Sequence, residues 1–168
     1  MLATVASSFY TPWWRLQAGP ATVNADPFFA SITVLGVDCT APLMLALNVG
    51  TLSSYMVGGA ALIICALRPM EGYSRHLLAF GWKRPVYTLA GFTVALAAVR
   101  CIVPLVAAKY GCPSLAFPLV GSSAVQLPSG PFKASITVEA TASFTHSFLL
   151  GAAAAALSVL SRIRCRKP

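Results

Sequence analysis

Long apolar runs broken by short polar segments organise this chain. Three stretches, 41–67, 86–108 and 143–161, are apolar almost throughout and share a single Lys, Arg, Asp or Glu, Arg100. A helix needs about 20 such residues to cross a hydrocarbon core roughly 30 Å thick, so the pattern predicts three transmembrane helices. The first opens with Thr40 as N-cap and Pro42 in the first turn, where a missing N–H costs nothing, and stops at Arg68-Pro69. The second begins after Pro85 and ends at Lys109-Tyr110-Gly111-Cys112-Pro113, where Gly and Pro supply a stop. The third runs into a basic tail.

Between the runs the period changes. In 28–40, Ser31 and Thr33 alternate with Ile32 and Val34, as in a half-buried strand. A fourth span is the competing reading of this stretch, but it would put Asp38 in the bilayer with no polar turn before the next span. The pentapeptide ASITV occurs at 30–34 and again at 134–138, each time shortly before an expected span. Around the second copy, the run 116–127, the turn residues Pro128-Ser129-Gly130 and the run 132–140 read as a β-hairpin. A lone hairpin is marginal. The expected architecture is therefore integral membrane and mainly α: three transmembrane helices, with an external β-layer from 28–40 and 114–142. The hairpin and strand 30–37 would form that layer, all within one domain, 1–168.

Charge orients the chain. Arg68, Arg75, Lys83 and Arg84 separate the first two runs, and Arg162, Arg164, Arg166 and Lys167 follow the third, which accounts for eight of the twelve basic residues. Short basic loops stay on the cytoplasmic side, so the expectation is N-terminus outside and C-terminus inside, with Asp26, Asp38 and Glu139 outside. The sequence is 57% hydrophobic and 10% charged, with mean hydropathy +0.75, against about 25% charged for soluble proteins. The net charge of +8 lies at span boundaries without a basic helix face, so it argues for topology and lipid contact and against nucleic acid. The first twenty residues lack the basic and continuous apolar regions of a signal peptide, leaving insertion to the internal spans.

Candidate chemistry is sparse. Cys39 and Cys112 fall at the external ends of the first two spans and could form a disulfide; the alternative is two separate small apolar thiols. No C-x-x-C pair is present, which argues against a dithiol centre or zinc knuckle. Arg100 lies inside the second span, four residues before Pro104, which cannot donate to its carbonyl. It could snorkel outward, pair with Asp38 or Glu139, or meet a lipid phosphate, a quinone head group or a partner's carboxylate. His146, at the external end of the third span, is a second weak lipid or quinone candidate, more simply read as a polar anchor. Its separation from His76 rules out paired haem ligation. No hydrolase, zinc-protease or phosphate-loop motif occurs, and no catalytic residue, metal site or cofactor is expected.

The helix faces are built for close approach. Gly50, Ser54 and Gly58 recur every four residues in the first span, and Gly151 precedes a run of alanines in the third. Either the chain's own helices use these faces or another subunit does. Trp13 and Trp14 beside Arg15 read as external boundary anchors, and Tyr73, Trp82 and Tyr87 as internal ones. The segment 71–85 reads as a short helix or turn on the inner leaflet. The expected function is a non-catalytic small subunit of a larger membrane complex, respiratory or transport type, in the cell membrane, with other integral membrane subunits and lipids as partners. The alternatives are a small oligomeric transporter or channel, using residues such as Asn48, Thr51, Ser53, Ser54, Thr93, Arg100 and Ser158, and a membrane enzyme built on Arg100, Glu139 and His146.

Overall fold

The computed structural model describes residues 1–34, 37–38, 42–68, 72–109, 117–129 and 134–165. The chain is mostly helical, with three helices long and apolar enough to span a membrane and one small antiparallel sheet. In order, the elements are α1 (Leu2–Tyr10), β1 (Trp14–Ala18), β2 (Ala21–Ala25), β3 (Ser31–Val34), β4 (Val37–Asp38), α2 (Pro42–Leu67), α3 (Ser74–Gly81), α4 (Lys83–Lys109), β5 (Gly121–Ser129), β6 (Ala134–Phe144) and α5 (His146–Cys165).

The helices follow from the apolar runs. Pro42 is the first residue of α2, where it removes only an N–H that would have no helical acceptor; Thr40 lies outside the described residues. The segment 71–85 contains α3, separated from α4 by Trp82 alone. Pro104 is carried inside α4, so Arg100 O is left without its helical donor. The third long helix starts at His146 rather than 143, because β6 runs on to Phe144.

The sheet has six strands in the order β4-β3-β2-β1-β6-β5, all neighbours antiparallel. The expected hairpin is β5–β6, in register from Gly121 opposite Ala142 to Ser129 opposite Ala134. Pro128 and Ser129, expected in its turn, lie within β5. A proline is tolerated there because β5 is an edge strand, whose outward N–H groups need no ladder partner. The expected strand 30–37 is instead two short strands, β3 and β4, paired with each other. No fourth span forms in the described part of 28–40. The two ASITV copies fall in β3 and β6 but are not neighbours, since β1 and β2 lie between them.

β1 is therefore the strand that supports the hairpin, pairing along Trp14–Ala18 with Phe144–Ala140. Along β1 the burial alternates: Trp14 is buried while Arg15 and Gln17 are exposed, as a sheet with one covered face requires. The covered face meets α4. Trp14, Leu96 of α4 and Ala142 of β6 form one buried cluster, bordered by Leu16, Val23, Phe92 and Phe117.

Candidate functional site: the junction of sheet and helices

Trp13 and Trp14, expected as exposed boundary anchors, are instead 1% and 2% exposed. Each ring finds a partner for its N–H, which removes the reason for an indole to stay at a wet boundary. Trp14 Nε1 donates to Leu119 O at 2.7 Å, and Trp13 Nε1 to Ser8 Oγ at 3.0 Å. The Trp13 ring meets Phe28, Phe92 and Phe148 edge-on at 5.9, 5.3 and 5.8 Å between centroids. It thus joins the loop after β2 to α4 and α5. The close approach to α5 depends on Gly151: a Cβ there would sit 2.6 Å from Trp13 Cη2 and Cζ2.

Beside Trp13 lies the buried carboxylate of Asp26, 3% exposed. Its Oδ1 accepts from Phe28 N at 2.8 Å, the geometry of an Asx turn, while its Oδ2 has no hydrogen-bond partner. Burial dominates its titration and raises the pKa from 3.8 to about 6, against the lowering influence of Phe28 N, Ser8, Phe29 N and Trp13 N. α1 supplies the rest of the pocket: Ser8 Oγ donates to Thr4 O at 3.1 Å. Thr4 is itself 2% exposed, beside the buried Tyr55 of α2, whose hydroxyl has no partner in hydrogen-bond geometry. Thr11 and Ser147 hydroxyls, 2.5 Å apart, tie the end of α1 to the start of α5.

Sequence reasoning does not single out this junction. Asp26-Pro27-Phe28-Phe29 carries an Asx-turn signature next to two large apolar residues, and that is its only local signal. Chemically it offers one carboxyl and a few hydroxyls, with no second acid or histidine beside it among the described residues. Among those residues no group of three His, Cys, Asp or Glu could hold a metal ion.

The candidates named from the sequence are dispersed. Arg100 is exposed on α4, one helical turn beyond Leu96, and makes no ion pair among the described residues; His146, at the start of α5, and Glu139 are exposed too. Cys39 and Cys112 lie outside the described residues. Ser54 and Gly58 meet the chain's own α4: Arg84 Nη1 donates to Ser54 Oγ at 2.7 Å, and a Cβ on Gly58 would lie 2.8 Å from Arg84 Cγ. Gly50 lies two turns from Gly58 toward the start of α2, and a Cβ there would meet nothing within 4 Å among the described residues. The space above Gly151 is filled by Trp13 rather than by a helix.

At the other end of the helices, aromatic rings hold two of the basic side chains. The Arg84 guanidinium lies 4.3 Å from the Phe80 ring centroid and Arg162 lies 4.2 Å from Trp82. Together with the Arg84–Ser54 bond they clasp α2, α3, α4 and α5. No known family, curated protein or solved structure matches this chain.

Proposed function

We propose that this chain is a non-catalytic, multi-pass subunit of a larger membrane assembly of respiratory or transport type. In this reading it lies in the cell membrane with the amino terminus and sheet outside and both basic clusters inside. Its role is to position neighbouring subunits through the sides of its helices.

The observation that carries the reading is the helix surface its own fold leaves uncovered. Only 11% of the most apolar stretch within His76–Lys109 and 17% of that within Met44–Leu67 is buried within the chain. On α2 the uncovered surface includes Leu45, Leu47 and Val49 on both sides of the helix; on α4 one open side includes Ile102, Leu105 and Val106. Gly50 lies one turn from Leu47 on that uncovered part of α2, and an open glycine lets another backbone approach closely. The site chemistry points the same way, since the junction at Trp13 and Asp26 is built to join elements and has no paired acid and base among the described residues.

The transporter reading fares less well on the same grounds. Most polar residues that could line a path are bonded within the chain: Asn48 to Ala30 O, Thr51 to Leu47 O, Thr93 to Leu89 O and Ala90 O, and Ser158 to Ala155 O. Extraction from native membranes in mild detergent, native-gel separation and mass spectrometry of co-migrating chains test the proposal. Stoichiometric companion subunits are expected. A homo-oligomer alone would overturn the proposal in favour of a channel.

A further inference from the structure

α2 and α5 are spaced apart by two short helices, α1, whose Met1 reaches Gly59 of α2, and α3 at the basic end. The slot they leave is a cavity of about 760 Å³. Its walls are apolar, with Leu62 and Ala66 on α2, Leu78 on α3, and Leu150, Ala154 and Leu157 on α5. Apart from Thr4 on α1, its hydroxyls gather at the basic end: Ser74, Ser158 and Ser161.

We infer that this slot binds one tail of an anionic phospholipid, with the phosphate held at the basic end. The inference rests on membrane residence but is independent of any partner subunit. The length of the slot matches that occupant. On α5 the lining runs from Leu150 to Ser161, about 16 Å at 1.5 Å per residue, and one leaflet contributes about half of a roughly 30 Å hydrocarbon core.

Charge chooses the head group. Among the described residues, Arg68, Arg75, Lys83, Arg84, Arg162 and Arg164 lie at this end, after α2, on α3, at the start of α4 and at the end of α5. The serine hydroxyls at the mouth already donate to backbone carbonyls, Ser74 to Arg68 O at 2.6 Å, Ser158 to Ala155 O at 2.7 Å and Ser161 to Ser158 O at 2.8 Å. Recognition therefore falls to guanidinium groups, which suit phosphate oxygens. Arg162 directly follows Ser161, and the Arg68 carbonyl is itself bonded at the mouth. Anionic lipids are enriched in the cytoplasmic leaflet, where the basic clusters would lie.

The test uses the isolated full chain in nanodiscs of 80% phosphatidylcholine and 20% phosphatidylglycerol, doped with a phosphatidylglycerol carrying a photoactivatable diazirine in its tail. Adducts mapped by peptide mass spectrometry should be at least tenfold denser on 62–66 and 153–161 than on the open side 94–106 of α4. Unlabelled phosphatidylglycerol should compete and added phosphatidylcholine should not. Ala154→Leu, which narrows the slot, should lower labelling there at least fivefold while leaving α4 labelling unchanged. Even labelling of all helices, or equal competition by phosphatidylcholine, would overturn the inference. So would labelling of 62–66 and 153–161 only after a co-purifying protein is stripped away, since the slot would then belong to a partner helix. The labelling pattern and the lipid competition, read on the isolated chain, do not depend on whether companion subunits exist.

Discussion

Gly151→Ala should be among the most damaging single-methyl changes in the protein. The added carbon would sit 2.6 Å from two atoms of the Trp13 ring, whereas carbon atoms rest about 3.5–4.0 Å apart. Relief requires a movement of about 1 Å by a ring that is 1% exposed and enclosed by Phe28, Phe92 and Phe148. Overpacking of this kind costs about 1–3 kcal/mol. Tilting the ring away also strains the 3.0 Å bond from Nε1 to Ser8, worth about 1 kcal/mol. A loss of about 2–4 kcal/mol corresponds to roughly 4–16 °C in a chain of this size. The assay is thermal unfolding in mild detergent, read as the fraction still monodisperse by size exclusion, on wild type, Gly151→Ala, Trp13→Phe and the double variant. Trp13→Phe removes the two clashing atoms, so in that background Gly151→Ala should cost less than about 1 kcal/mol. An equal loss in both backgrounds would refute the reasoning and return Gly151 to a helix–helix contact. No loss in either would refute it outright.

Asp26 should make stability depend on pH. Its carboxyl titrates near 6 in the folded chain against 3.8 unfolded, so the folded state keeps the proton longer; the favourable protonated form is fully present below about pH 4 and is lost as pH rises through 6. At 1.36 kcal/mol per pH unit the loss approaches about 3 kcal/mol by pH 7, and midpoints measured from pH 4 to 7 should flatten in Asp26→Asn. Ser54→Ala removes the acceptor of the half-buried Arg84 guanidinium and should cost about 1–2 kcal/mol, read by the same midpoints. Gly58→Ala should be destabilising because its methyl meets Arg84 Cγ at 2.8 Å, whereas Gly50→Ala meets nothing among the described residues and should leave the isolated chain unchanged. Arg100→Leu should leave the isolated chain's midpoint within about 0.5 kcal/mol of wild type, as expected of an exposed site, yet lower the yield of the native-gel assembly. Unchanged assembly would remove Arg100 from any interface.

How much can be read from residues alone follows from the range of the forces involved. The three long helices are legible because each is a run of local apolar residues, and membrane length is a count along the chain. The β5–β6 hairpin and the helix in 71–85 are legible for the same reason: alternation, turn residues and amphipathic spacing act over a few positions. Even the ASITV copies are readable as strands. Their placement is not, because the alternation of β1 and β2 around Gly19-Pro20 does not say which other strands they will pair with.

By itself, then, the sequence determined the helical spans, the presence of a small antiparallel sheet and the grouping of basic residues at one end. Tertiary structure alone decided what those parts enclose. Trp13 sits close to Arg15 in sequence and so resembles a boundary anchor, but its burial needs Phe92, Phe148 and Gly151, all brought from far along the chain. The Asp26 carboxyl is perturbed by α1, which contributes Ser8, and by the loss of water around it. The slot between α2 and α5 exists only because α1 and α3 hold those helices apart. Each depends on contacts between distant segments, and no local pattern of apolar and polar residues specifies which distant surfaces will meet.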